Sequence, residues 1–177
     1  MDYSGGRVLL SSQREGQSTH YSPRVLILVP LAAILFQVYV PQFFEFLHFL
    51  ELPMLVVVYF ALMRRSQLGG LFLGALVGIA QDSLTIKPLG MYGIVKTLVG
   101  YFAASVSVRF DVEHSIIRGM LCFFFYLFHQ CLYWVMERAL LGHQPPFEMQ
   151  SWLVQGGLNA VVGLALFHFL DKLRSSA

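Results

Sequence analysis

The chain has 177 residues, of which 56% are hydrophobic and 12% charged, and its formal net charge is +2. Soluble globular domains typically have about 25% charged residues, so this sequence cannot supply the polar surface that a soluble protein needs. The small net charge and the lack of a Lys/Arg block in the sequence argue against nucleic-acid binding. Composition therefore predicts an integral membrane protein, with a length that suits one domain.

The N-terminal segment differs from the rest of the chain. Residues 1–23 are mostly Ser, Gly, Gln, Arg and Glu. They lack the apolar run and the small-residue cleavage site of a signal peptide. We predict a disordered cytoplasmic tail here.

Six apolar runs follow the tail, and we interpret each as a transmembrane helix. They make up a transmembrane domain of residues 24–172, with spans at about residues 24–44, 52–63, 68–86, 91–108, 116–140 and 152–170. The second run is short, so it is either tilted together with part of the preceding segment or incomplete. Residues 43–51 are apolar but interrupted by Glu and His, which is typical of an interfacial segment.

The basic residues predict the orientation. Cytoplasmic loops carry an excess of Lys and Arg. With six crossings, only Lys87 and Arg138 fall on the outer side, and Lys96 lies inside a span. The other nine fall on the side of the termini: Arg7, Arg14, Arg24, Arg64, Arg65, Arg109, Arg118, Lys172 and Arg174. Both termini are therefore predicted to be cytoplasmic.

Small residues form stripes on the third and fourth spans. Small residues let helix backbones approach closely in lipid. The third span carries Gly70, Gly74 and Gly78 at four-residue spacing, continued by Asp82. The fourth carries a matching stripe of Gly93, Gly100, Ala103 and Ser107. The short connection through Pro88 and Gly90 makes the two spans antiparallel neighbours.

Two charges lie inside these spans. Asp82 and Lys96 are each predicted to lie roughly 6–8 Å below the outer end of their helices, at 1.5 Å per residue. An unpaired charge in a membrane costs several kcal/mol, so an Asp82–Lys96 ion pair is the expected arrangement. The pair either fixes helix register or contacts a ligand or partner. Alternatively, Lys96 extends outward alone.

The fifth span carries a second polar face. At spacings of four, three, four and four, one helical face presents Cys122, Tyr126, His129, Tyr133 and Glu137. The face is either a proton relay or ligand pocket, or a bundle-facing stripe satisfied by Gln155 and Asn159 of the sixth span. The second interpretation is favoured.

The sequence carries no motif of a familiar enzyme. It has no H-E-x-x-H, no G-x-S-x-G and no P-loop pattern. The six His are not at metal-ligand spacing. We predict no enzymatic activity, no cofactor and no metal.

The middle of the chain resembles a known family. The pattern Gly74-x3-Gly78-x3-Asp82, then Pro88-Leu89-Gly90, then a helix containing residues 96–101 (Lys-Thr-Leu-Val-Gly-Tyr) is similar to that of the rod shape-determining protein MreD family. The short second span before Arg64-Arg65 agrees. The resemblance covers about residues 24–172, and its specific part is residues 70–101.

The resemblance implies a non-enzymatic subunit of the rod complex, or elongasome, in the bacterial inner membrane. Such a subunit binds MreC, a bitopic protein with a periplasmic domain. It helps to couple MreB, indirectly, to RodA and a class B penicillin-binding protein in lateral peptidoglycan synthesis. Besides these protein partners, the membrane domain implies contact with membrane lipid. The structural or partner-interface candidates are Gly70, Gly74, Gly78, Asp82, Pro88, Gly90, Gly93, Lys96 and Gly100.

The family is also similar in fold to the six-span substrate-binding subunits of energy-coupling-factor (ECF) vitamin transporters, the S-components. The alternative function is therefore such a subunit, with an outward pocket lined by Asp82, Lys96, His129 and Tyr133. Ligand binding would favour the transporter, whereas recovery of MreC would favour the rod complex.

Overall fold

A computed structural model describes residues 22–85, 88, 90–110, 112 and 114–174. Within these ranges the α-helices number six, and no strand is present: α1 Pro23–Tyr39, α2 Leu52–Arg64, α3 Gln67–Leu84, α4 Met91–Ser107, α5 Ser115–Leu141 and α6 Met149–Arg174. The predicted all-α architecture of six helices is confirmed. The predicted disordered tail lies, except for its last two residues, outside the described residues.

The segment between α1 and α2 is not a loop of irregular structure. It forms two short 3-10 helices, Val40–Gln42 and Glu45–Phe49, before Leu50 turns into α2. The second of them joins α2 in an apolar stretch, Leu47–Arg64, that is long enough to cross a membrane. This continuity favours the interpretation in which the short second span includes part of the preceding segment.

Helix α2 is the centre of the bundle. Its sequence is apolar on every face, which is typical of a helix enclosed by other helices. Eleven of its thirteen residues, Pro53 to Met63, are buried. It contacts each of the other five helices, most extensively α4 and α3. The core of the molecule therefore surrounds α2.

Four stretches are long and apolar enough to cross a membrane: Pro23–Gln42, Leu47–Arg64, Ser115–Leu141 and Met149–Leu173. Helices α3 and α4 are not among them. They have 18 and 17 residues, and they include glycines, Asp82 and Lys96. Length and composition thus support a multi-pass membrane protein. Four of its six helices meet the requirement when the adjoining 3-10 residues are counted with α1 and α2.

Consecutive helices alternate in direction, so the bundle has two distinct ends. At the end where α1 begins and α6 finishes, which we call the terminal end, Asp171 accepts hydrogen bonds from Arg118 Nη1 and, at 2.9 Å, from Tyr59 OH. Arg118 Nε also donates to the Val112 carbonyl oxygen at 2.6 Å. These bonds tie α2, α5 and α6 together. We call the opposite end the cavity end.

Candidate functional site

The most extensive helix contact in the molecule joins α3 and α4, and glycine makes it possible. A Cβ at Gly70 would lie 2.4 Å from the Gly100 carbonyl oxygen. At Gly74 it would lie 2.1 Å from that of Lys96, and at Gly78 2.3 Å from that of Tyr92. Such separations leave no room for a side chain. The stripe therefore brings the two backbones into direct contact over about two helical turns.

Asp82 fastens this helix pair at the cavity end. Its buried carboxylate accepts hydrogen bonds from the backbone N–H groups of Gly90 (3.0 Å), Tyr92 (3.1 Å) and Gly93 (2.9 Å). These are N–H groups at the start of α4, which have no carbonyl partner within their own helix. Asp82 thus caps α4 from the end of α3, and the helix dipole favours its negative charge there.

The predicted Asp82–Lys96 ion pair is wrong. Lys96 Nζ lies 3.4 Å from Glu51 Oε2 and 3.5 Å from His129 Nε2, and it sits 4.3 Å from the centre of the Tyr92 ring. The Lys96 side chain is fully buried. Asp82 is occupied by backbone N–H groups, which replace the cation as its hydrogen-bond partners. Glu51, at the entrance to α2, supplies the opposite charge that a buried ammonium group requires.

Asn159 of α6 holds Glu51 in this position. Asn159 Oδ1 accepts from the Glu51 backbone N–H at 2.9 Å, and its Nδ2 donates to the Phe49 carbonyl oxygen at 2.8 Å. Gln37 Oε1 accepts from the Leu52 N–H at 3.3 Å. The first turn of α2 therefore receives its caps from side chains of α6 and α1.

The polar face of α5 is partly satisfied by α6, as the favoured interpretation predicts. Tyr126 OH donates to Gln155 Oε1 at 2.7 Å and accepts from Gln130 Nε2 at 2.8 Å. Asn159, the other expected partner of this face, instead bonds to the backbone of Phe49 and Glu51. His129 instead approaches Lys96, so this face also takes part in the buried charge cluster.

A cavity of about 310 Å³ opens above this cluster at the cavity end. Aromatic side chains form much of its wall, including Tyr92, Tyr133 and Trp134. The carboxylates of Glu51 and Glu137 also line it. Such a mixture of aromatic walls and a few polar groups is typical of a small-molecule or headgroup site.

The family model for the rod shape-determining protein MreD matches residues 19–173. The chain belongs to the MreD family. No curated protein and no solved structure matches the chain, so the likeness to ECF substrate-binding subunits stays a prediction.

Family membership makes this chain a rod shape-determining membrane protein, from a family of structural proteins rather than of enzymes. The described residues of the motif between Gly74 and Tyr101 lie in or beside the α3–α4 contact. Gly90 has φ +97°, a conformation that favours glycine. Pro88 is exposed beside it, whereas Lys87 and Leu89 lie outside the described residues.

Two contacts of Glu51 in this MreD-family chain were not predicted from the sequence: its backbone hydrogen bond to Asn159 and its ion pair with Lys96. Glu51 and Asn159 lie 108 residues apart, and Glu51 and Lys96 lie 45 apart. Helical spacing identifies neighbours on one helix only. A usable signal was present, since Glu51 is an acidic residue directly before a strongly apolar helix.

Proposed function

We propose that this chain is a non-enzymatic inner-membrane subunit of the bacterial rod complex. In this role it binds MreC and supports cell-shape maintenance and lateral peptidoglycan synthesis by RodA and a class B penicillin-binding protein, with MreB connected indirectly. The observation that carries the proposal is the family match over residues 19–173. The close backbone packing of α3 and α4 supports it, because a scaffold needs a well-defined surface.

The proposed topology has six crossings with both termini in the cytoplasm. The uneven distribution of Lys and Arg supports this orientation. Helices α3 and α4, which do not meet the length and composition requirement singly, would cross as one pair packed backbone to backbone. The cavity end would then face the periplasm, where MreC has its folded domain.

An apolar notch on the α3–α4 pair is the proposed contact for the membrane helix of MreC. It has a volume of about 330 Å³, and its lining includes Gly90, Gly93, Ile79, Ile94 and Thr97. Ile79 and Ile94 are exposed. A notch left by glycines suits a side chain of a neighbouring helix, because packing rather than the hydrophobic effect drives helix association in lipid.

Affinity capture of the tagged full-length chain from native membranes tests this proposal. We expect MreC to be recovered in mild detergent. Replacing Ile94 with Trp fills the notch and is expected to reduce MreC recovery about tenfold, equivalent to about 1.4 kcal/mol. The matched control is Ile116→Trp on α5, an exposed isoleucine outside the notch, which is expected to leave recovery unchanged.

Equal loss of MreC in both variants would contradict the notch as the contact. Recovery of paired ATPases and a second membrane subunit instead of MreC would favour the vitamin-transporter alternative. Each variant is compared at equal amounts of monodisperse protein, so that a folding defect is not read as a binding defect.

A further inference from the structure

The cavity of about 310 Å³ above the buried charge cluster, which we call the chamber, is continuous with a second cavity. This second, mostly apolar cavity of about 540 Å³ adjoins it, and Phe49 and Gln155 line both. Val154 and Leu158 of α6 form its apolar wall, and Val154 is 71% exposed. The polar part of its lining includes Glu148, Gln150 and Ser151. The chamber therefore continues into this second cavity, which we call the groove. The groove runs along the outer side of α6, a helix that is long and apolar enough to cross the bilayer.

The charges of the chamber favour a cationic group. Its described lining includes the carboxylates of Glu51 and Glu137 and no Lys or Arg. Lys96, just below it, is paired with Glu51 and contributes little net charge. Among the described residues, Glu137 Oε1 has the exposed His143 ring as its ion-pair partner, with Nδ1 at 3.6 Å, and that ring is charged only when protonated. Glu137 is thus the acidic group at the mouth of the chamber, and the neighbouring Arg138, whose guanidinium lies against the Trp134 ring, is exposed.

The aromatic walls add to this preference. The face of an aromatic ring attracts cations within about 6 Å of its centre, and ammonium ligands are commonly bound in this way. Two rings of the chamber already hold cations of the chain: Lys96 Nζ at Tyr92, and the Arg138 guanidinium 5.2 Å from the Trp134 ring. Electron-rich rings and the Glu137 carboxylate together suit an ammonium group.

From these features we infer that the two cavities bind one membrane phospholipid whose headgroup carries an ammonium group. The ammonium enters the chamber between Glu137 and the aromatic walls, and an acyl chain lies in the groove beside Val154 and Leu158. A free amine would fill the chamber but would leave the apolar groove unoccupied. The inference does not depend on binding to MreC.

Lipid titration of the delipidated full-length chain, followed by native mass spectrometry, tests the inference. The probes are phosphatidylethanolamine, phosphatidylglycerol with the same acyl chains, and free ethanolamine. We expect phosphatidylethanolamine to bind about tenfold more tightly than either of the others. Glu137→Gln is expected to weaken its binding about tenfold and to leave phosphatidylglycerol binding unchanged, because only the ammonium contact is lost.

A second pair of variants tests the groove. Val154→Trp is expected to weaken phosphatidylethanolamine binding about tenfold, whereas Val108→Trp, at a similarly exposed valine at the terminal end, is expected to bind as the unmodified chain does. Equal affinity for the two lipids, or unchanged binding by Glu137→Gln, would overturn the ammonium assignment. Ethanolamine binding as tight as that of the lipid, or unchanged binding by Val154→Trp, would overturn the lipid assignment.

Discussion

Replacing Gly74 with Ala is expected to destabilise the protein by about 3 kcal/mol, the upper part of the usual range for overpacking a core. The added Cβ would lie 2.1 Å from the Lys96 carbonyl oxygen, and that oxygen belongs to the α4 backbone, so no side-chain movement relieves the contact. The two helices must separate. The measurement is the midpoint temperature at which the purified chain loses its monodisperse state in detergent.

Gly157→Ala is the matched control. Gly157 is also a helix residue, but a Cβ there meets nothing within 4 Å. Alanine has a higher helix propensity than glycine by up to about 1 kcal/mol, so this variant is expected to match or slightly exceed the unmodified chain in stability. Equal midpoints for the Gly74 and Gly157 variants would show that the α3–α4 backbones are not in direct contact.

The second large effect is expected at the buried charge cluster. Lys96→Met removes the cation that faces Glu51 and leaves a mostly buried carboxylate, whose side chain is 14% exposed, without that partner. Breaking a buried ion pair on one side typically costs about 3–5 kcal/mol. The exposed Arg109, changed to Met in the same way, is expected to lower stability by less than about 0.5 kcal/mol.

A double-mutant cycle separates the ion pair from other contacts of Lys96. Combining Lys96→Met with Glu51→Gln removes both charges, so the double variant is expected to be more stable than Lys96→Met alone. The free energy of unfolding of all four forms gives the coupling, expected at about 2 kcal/mol. If the two single losses simply added, Glu51 would not be the counter-ion of Lys96.

The features predicted from sequence are those with a local physical cause. The apolar runs give the helices, and the four-residue spacing of Gly70, Gly74 and Gly78 gives the face of α3 that packs on α4. Each of these depends on residues a few positions apart or on one pair of antiparallel neighbours.

The contacts that were not predicted depend on the arrangement of distant helices. Asp82 and Lys96 have matching depths, yet depth does not determine the direction in which each side chain points around its helix. Asp82 points at the N-terminus of α4, where backbone N–H groups satisfy it. Lys96 points at α2 and α5, whose positions beside α4 follow from the packing around α2.

The central claim, that this chain determines rod shape, is tested most directly by measuring cell width while the protein is depleted from the organism that encodes it. The account predicts that cells widen and become round as the protein is lost, and that a restored copy returns them to rods. Cells that keep their width after the protein has disappeared from their membranes would contradict it.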